Sequence, residues 1–337
     1  MPHQTFSVVI LTYNRKLLLK DCLDSLLRQT SNGAGLEILV ADDGSDDGTE
    51  ELVARYRAAY ANIEWLYHAH SGISATRNMG VRAARGDFIA IVADDYILPA
   101  NYVLTILDFF RERPDAQVVR FKIVGSGRDL GSRISHFYYD VSMRRRIHDE
   151  SSESAEADFT TLRSLFRKMP TRKEEVTTRH ELEASGAAAF RREVFDQVGL
   201  FDENLARGED TDLTVRLRAR HIEVYYNPHL PVEHRYEPLM LDTLRKCFES
   251  GWSRYLYNRK HAPNPNGKDW KINTPAMARF GALLNALRHL ETPGQFVLYA
   301  PFIVLFEGVN KLGYACAWMA SWRRSGKEAS SPTVTRT

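Results

Sequence analysis

The chain alternates between two hydrophobic periods. Residues 7–12 form an apolar run closing on Thr12, the pattern of a strand buried on both faces. Leu19, Cys22, Leu23, Leu26 and Leu27 then recur at helical spacing. The switch repeats, predicting strands at 37–41, 63–67, 88–92 and 117–123. Helices are predicted at 48–60 behind Thr49-Glu50-Glu51, at 74–85 up to Gly86, and from Pro99 onwards. Such alternation predicts βαβ units, hence an α/β chain with a doubly wound, mostly parallel, Rossmann-like central sheet. Ligands of such sheets lie beyond the carboxyl ends of the strands. Here those ends are Thr12-Tyr13-Asn14, Asp42-Asp43-Gly44-Ser45 and Asp94-Asp95.

The pattern fails over 125–180, where the acidic, low-complexity stretch 149–158 cannot bury a core and predicts a mobile loop. Order resumes at Leu182, with the small-residue run Ser185-Gly186-Ala187-Ala188-Ala189 ahead of a short helix. A helix near 209–220 and a strand at 222–226 follow, and beyond Pro238 the chain reads as helical. This divides the chain into a principal domain over 1–238, with halves 1–124 and 181–238 around the loop, a helical, partly hydrophobic extension over 239–324, and a polar tail from Ser325. Within the extension, Pro293 and Pro301 predict breaks, and neither uncharged run reaches the ~18 apolar residues a spanning helix needs. Three readings of 292–324 compete: a helix packed on the domain, a dimer contact, or an interfacial helix with Trp318, Trp322, Arg323 and Arg324 at lipid head groups. The basic, aromatic segment 245–260 reads either as a solvated helix face or as an acceptor-lining surface.

Composition narrows the function without choosing it. Across 337 residues, 45 Lys and Arg balance 43 Asp and Glu to +2, so bulk charge selects no nucleic acid partner. With 44% hydrophobic residues the chain is neither disordered nor fibrous. Cys22, Cys247 and Cys316 lie too far apart for a disulfide framework or zinc knuckle. A start without a basic region or small-residue cleavage site adds to the expectation of a reduced, cytoplasmic setting.

Three acidic clusters carry the candidate chemistry. In the first, residues 41–49, Asp46 or Asp47 reads as a helix cap, whereas Asp42 and Asp43 sit at a strand edge where a ligand would lie. The second, Asp94-Asp95, closes another buried strand. Adjacent carboxylates there need a compensating cation or hydrogen-bond donors, and hard oxygen ligands suit Mg²⁺ or Mn²⁺, though a structural turn is the plainer reading. The third, Glu209-Asp210-Thr211-Asp212, opens a helix with more acids than capping needs, and an acid facing a cleft there would serve as general base.

Taken in order, these segments resemble the inverting family 2 glycosyltransferases of the GT-A nucleotide-sugar fold. The resemblance rests on Leu11-Thr-Tyr-Asn-Arg15, Asp42 to Thr49, Gly72-Ile-Ser-Ala-Thr-Arg-Asn-Met-Gly80, Asp94-Asp95-Tyr96-Ile-Leu-Pro99 and Gly208 to Leu213, within residues 6–237. It implies that Tyr13 stacks on the nucleobase with Thr12 and Asn14 beside it, and that Asp43 accepts from a base N–H. It implies that Arg77 and Asn78 line the diphosphate and sugar, that Asp94 contacts ribose or sugar, and that Asp95 holds the metal, Mg²⁺ or Mn²⁺. Asp210 would deprotonate the acceptor hydroxyl, Glu209 would contact acceptor or donor, and His234 falls where the family often has a histidine near the metal. The implied partners are a nucleotide-sugar donor and a glycan, lipid-linked or other cell-envelope acceptor, with possible peripheral docking through 292–324 on the inner face of the plasma membrane.

The first acid of the family's usual Asp-x-Asp-Asp motif is Val92 here, which leaves the division of roles between Asp94 and Asp95 open. Two other readings remain. A nucleotidyltransferase would want a glycine-rich phosphate loop after the first strand, and Thr12-Tyr13-Asn14-Arg15 is not one. A non-catalytic glycan- or nucleotide-binding protein on the same fold is the other.

Overall fold

The computed structural model describes residues 5–29, 35–125, 129–135, 137–138, 176–178, 182, 186–205, 207–235, 240–261 and 293–328. These fall into two compact units, one running to Arg235 and the other beginning at Met240.

In the first unit the alternation read from the sequence becomes β1 (Thr5–Thr12), α1 (Lys16–Leu26), β2 (Gly35–Asp42), α2 (Thr49–Ala59), β3 (Ile63–Tyr67), α3 (Ile73–Ala83), β4 (Phe88–Ala93), β5 (Tyr96–Ile97), α4 (Tyr102–Glu112) and β6 (Val118–Gly125). After the intervening segment come β7 (Ala187–Arg191), α5 (Glu193–Val198), α6 (Glu209–Ala219) and β8 (Val224–His234). The eight strands order β3-β2-β1-β4-β7-β6-β8-β5. β1 lies between β2 and β4, parallel to both. β7 is antiparallel to its neighbours β4 and β6, and β8 runs parallel to β6.

Alternate residues of the apolar strands feed two cores, which is why the strands read as continuous hydrophobic runs. Phe6, Val8, Ile10, Ile38, Val40 and Val92 pack under α1, α2 and α4. Val9, Leu11, Leu39, Ile89 and Ile91 pack under α3, α5 and α6. The order of strands reverses at β1, so the crevice between the carboxyl ends of β1 and β4 is the switch point where doubly wound sheets bind ligands.

The run Ala187–Ala189 does precede a short helix, α5, and itself opens β7, buried between β4 and β6 in the sheet. Elsewhere local expectations are corrected. β8 does not stop at Tyr226. It runs on through Pro228 and Pro231, because its pairing with β6 slips between Phe121 and Ile123 and so relieves the ladder of the missing donors. Nor do the prolines break the last helix. Pro293 opens it, where no N–H is needed, Pro301 lies inside it, and it continues past Ser325 to Glu328. Of the segment expected to be a mobile loop, most lies outside the described residues, as do 329–337 of the tail. Within it, residues 130–135 are helical and Thr177 bridges Tyr226.

The second unit contains α7 (Met240–His261) and α8 (Pro293–Glu328). The two pack backbone against backbone. A Cβ on Gly251 would lie 1.8 Å from the Asn310 carbonyl oxygen, and one on Gly313 would lie 2.0 Å from that of Phe248. Asn310 Nδ2 donates to the Cys247 carbonyl at 3.1 Å. Close packing of this kind, rather than local propensity, keeps a helix continuous through a proline. Among the described residues no helix is long and apolar enough to cross a membrane.

Candidate functional site

The site is assembled from the loops at the carboxyl edge of β1, β2 and β4. After β1 the chain turns through Asn14, whose φ of 51° is left-handed, a conformation asparagine tolerates. The turn is tied to the loop after β2: Asn14 N–H donates to Ser45 Oγ at 2.9 Å, and Asn14 Oδ1 accepts from Asp46 N–H at 2.8 Å. Of the acids in that loop, Asp47 does the capping. It accepts from Lys16 N–H at 2.8 Å and Thr49 Oγ–H at 2.6 Å, so one carboxylate satisfies the starts of α1 and α2.

Asp42 does not face a ligand. It is fully buried, accepting from Ser45 N–H at 2.9 Å and Trp65 Nε1–H at 3.4 Å, and therefore shapes the loop. Asp43 lies at the edge as expected. Its carboxylate accepts from Ser71 N–H at 2.8 Å and Gly72 N–H at 3.1 Å. His70 Nδ1 lies 2.8 Å from it and His68 Nε2 3.4 Å. The ring of Tyr13, 43% exposed, stacks on the His70 ring with centroids 4.3 Å apart.

At the end of β4, Asp94 and Asp95 are both buried. Thr12 Oγ–H donates to Asp94 at 2.9 Å, and Arg15 Nη1 bridges Asp94 at 3.2 Å and Asp95 at 3.1 Å. Burial pushes the Asp94 carboxyl up to about 7; the Asp95 charge adds to this, while Arg15 and Thr12 oppose it. The β5–β8 pairing sets Tyr96 opposite His234 and brings His234 Nε2 to 3.3 Å from Asp95 Oδ2. Among the described residues no group of three His, Cys, Asp or Glu side chains forms a metal cage. The donors here are instead one or two buried carboxylates and an imidazole beside an open switch point. That is the incomplete set Mg²⁺ or Mn²⁺ accepts when phosphate oxygens and water complete its shell, so the residues fit such an ion.

The third cluster enters from the other side of the sheet. Gly208, at φ +84°, turns the chain into α6 in a conformation closed to most side chains. This delivers Glu209 and Asp210 onto the guanidinium of buried Arg77, which pairs with Glu209 and lies 3.4 Å from Asp210. Phe201 lies under the same guanidinium, 5.2 Å from ring centroid to Cζ. Asn78 faces elsewhere. Its amide donates to the Phe201 carbonyl at 2.9 Å and Glu203 at 2.8 Å and accepts from Phe201 N–H at 2.9 Å, locking α3 to the chain ahead of α6. Asp212 is fully buried and pairs with Arg216. Asp210, its side chain 15% exposed, is the most open of these three acids.

Burial pushes the Tyr96 hydroxyl far above the usual range, and the charges of Asp95 and Asp210 add to the shift while Arg77 opposes it. Of the residues singled out from the sequence, Thr12, Asp94, Asp95 and His234 come together with one another, as do Arg77, Glu209 and Asp210, while Tyr13 and Asp43 meet through His70. Arg15, His68, His70 and Tyr96 were not singled out for these positions. Arg15 follows the Thr12-Tyr13-Asn14 turn and His70 precedes Ser71-Gly72, but neither spacing reveals a partner 79 or 27 residues away.

Comparison with known proteins bears on the family and the fold. Residues 7–199 match Glycosyl transferase family 2. An uncharacterised glycosyltransferase of Bacillus subtilis, EpsJ, is 28% identical over 259 residues, 72% of this chain and 67% of EpsJ. The poly(ribitol-phosphate) beta-glucosyltransferase of Bacillus spizizenii is 36% identical over 94 residues, which are 27% of this chain and only 15% of that protein. In fold, the mannosyltransferase PcManGT of Pyrobaculum calidifontis superposes with a TM-score of 0.57 at 15% identity, covering 92% of this chain and 87% of its own. The crevice between the carboxyl ends of β1 and β4 with paired acids at its mouth and the family match over most of that sheet lead to one conclusion: the chain is a glycosyltransferase of the GT-A fold and belongs to glycosyl transferase family 2.

Proposed function

We propose that the chain is a metal-dependent, inverting glycosyltransferase that moves a sugar from a nucleotide-diphosphate donor to a hydroxyl of a glycan, lipid-linked or other cell-envelope acceptor. The observation that carries the reading is the pair of buried acids Asp94 and Asp95, held with Thr12, Arg15 and His234 at the carboxyl ends of β1 and β4. Asp95 and His234, with Asp94 beside them, would hold Mg²⁺ or Mn²⁺, which when bound offsets charge on the departing diphosphate. PcManGT, which shares the fold, was solved with GDP-Man and Mn²⁺, which supports a nucleotide-sugar donor and a divalent ion here. Tyr13 supplies an exposed aromatic face for the base and Asp43 an acceptor for its N–H.

Asp210 is the general base. Arg77 Nη1 lies 3.4 Å from it, and it is more exposed than Glu209 or Asp212. As the bond from the anomeric carbon to the diphosphate oxygen breaks, its electron pair leaves with the nucleotide. The acceptor oxygen bonds to that carbon from the opposite face and its proton passes to Asp210. One base and no covalent intermediate give inversion. An envelope acceptor is supported by the name of the poly(ribitol-phosphate) relative and by α8, where Leu298, Leu305, Leu312 and Trp322 are exposed for contact with a membrane surface.

The test is a thermal-shift panel of UDP, GDP, dTDP and CDP, with and without Mn²⁺, on the intact protein, Asp95→Ala and Asp210→Asn. One nucleotide should raise the midpoint in an Mn²⁺-dependent way that Asp95→Ala abolishes. Asp210→Asn should keep that shift and lose turnover about 10²- to 10⁴-fold. A shift that ignores both metal and Asp95, or full turnover by Asp210→Asn, would overturn the assignment.

A further inference from the structure

The Asp43 carboxylate accepts from two backbone N–H groups and has two imidazole nitrogens crowded beside it. An ionised carboxylate offers about four lone-pair sites. Ser71 N–H, Gly72 N–H, His68 Nε2 and His70 Nδ1 lie at 2.8, 3.1, 3.4 and 2.8 Å. Two of these are backbone groups at the start of α3, and His68 is also held 3.1 Å from Thr76 Oγ. His70 differs. Its side chain is 58% exposed, and it contacts Asp43 and the stacked face of Tyr13. Nδ1 is hydrogen-bonded to the Asp43 carbonyl at 3.3 Å, an acceptor only, so it carries the proton, and it lies 2.8 Å from the Asp43 carboxylate. The imidazole is thus a flat aromatic ring, inclined 22° to Tyr13, with its N–H on the Asp43 backbone and its nitrogen beside the carboxylate. A nucleobase bound to these two groups would make the same pair of contacts.

We infer that the His70 imidazole is an internal occupant of the nucleobase site, which the donor's base must displace. The inference rests on the donor-site reading given above. While the site is empty, the ring covers the Tyr13 face and fills the space beside the Asp43 carboxylate. When a base arrives, it takes over the stack and the hydrogen bond, and the exposed imidazole swings out on its own χ angles. No bond is made or broken, but donor affinity is reduced by the fraction of time His70 holds the site. The base discriminated best is the one whose stacking and N–H placement improve on those of an imidazole.

The experiment is calorimetric titration of the intact protein and His70→Ala with UDP, GDP, dTDP and CDP in Mn²⁺. For the nucleotide that binds, His70→Ala should lower Kd roughly tenfold, as expected for loss of a competing stack and hydrogen bond. In parallel, the His70 ring protons of the intact protein should start upfield, shifted by the Tyr13 ring current, and move to exposed-histidine positions as nucleotide saturates. Binding that is weakened or unchanged in His70→Ala, or His70 signals that stay upfield at saturation, would overturn the inference while leaving the donor site in place. Binding by neither protein to any of the four would overturn both.

Discussion

Arg77 is where stability and the candidate chemistry depend on one side chain. It is 5% exposed, paired with buried Glu209, 3.4 Å from Asp210 and over the Phe201 ring. Arg77→Met keeps most of the apolar stem on Phe201 and removes only the charge. Glu209 is then left buried without its partner beside a second carboxylate, a defect of about 3–5 kcal/mol. The double variant Arg77→Met/Glu209→Gln removes both charges of the buried pair and should recover more than half of that loss, a coupling well above the ~0.5 kcal/mol expected of independent sites. The loss should also narrow in acid, where a proton can neutralise the stranded carboxylate. Because the chain has two compact units, urea unfolding should be followed by hydrogen-exchange mass spectrometry, reading α3 and α6 separately from α7 and α8. A loss under about 1 kcal/mol in α3 and α6, or an additive double variant, would refute the view that this ion pair holds the α6 acids in place.

Two further outcomes follow from other parts of the molecule. The Asp94 carboxyl, raised from 3.8 to about 7, keeps its proton in the folded state after the unfolded chain has released it. Stability from this group therefore falls as pH rises between those values, by up to ~4 kcal/mol. Asp94→Asn should flatten the dependence of unfolding free energy on pH over that window, and an equal slope in both proteins would refute the shift. If the exposed apolar residues of α8 contact a membrane, the intact protein should float with anionic liposomes, and Leu305→Ser/Trp322→Ser should lose most of that fraction; no flotation by the intact protein would remove membrane docking from the proposal.

Much of the fold was legible because its signals are local. A strand buried on both faces must be apolar throughout, as 7–12 and 88–92 are, and a helix on one face of a sheet must repeat like Leu19, Cys22, Leu23 and Leu26. The short cues misled where packing outweighed them. Pro301 sits inside a continuous helix that packs on α7 through Gly251 and Gly313, and β8 runs on through Pro228 and Pro231 where its register with β6 shifts. Asp42 and Asp43 are adjacent in sequence, yet the pleat sends one into the core to meet Trp65 and leaves the other at the edge.

By itself, then, the sequence determined the alternating α/β layout, the strand ends that form the mouth of the sheet, and the acids available there. Those depend on period and residue type, which the chain carries position by position. Only the tertiary structure decided which of those groups answer one another: Arg15 between Asp94 and Asp95, His234 against Asp95, Arg77 under Glu209 and Asp210, His70 between Tyr13 and Asp43. Each pairing spans 27 to 139 residues and exists because strand order and register bring distant loops to one edge. Charge, burial and hydrogen bonding act over a few ångströms of space, and separation along the chain does not encode that distance.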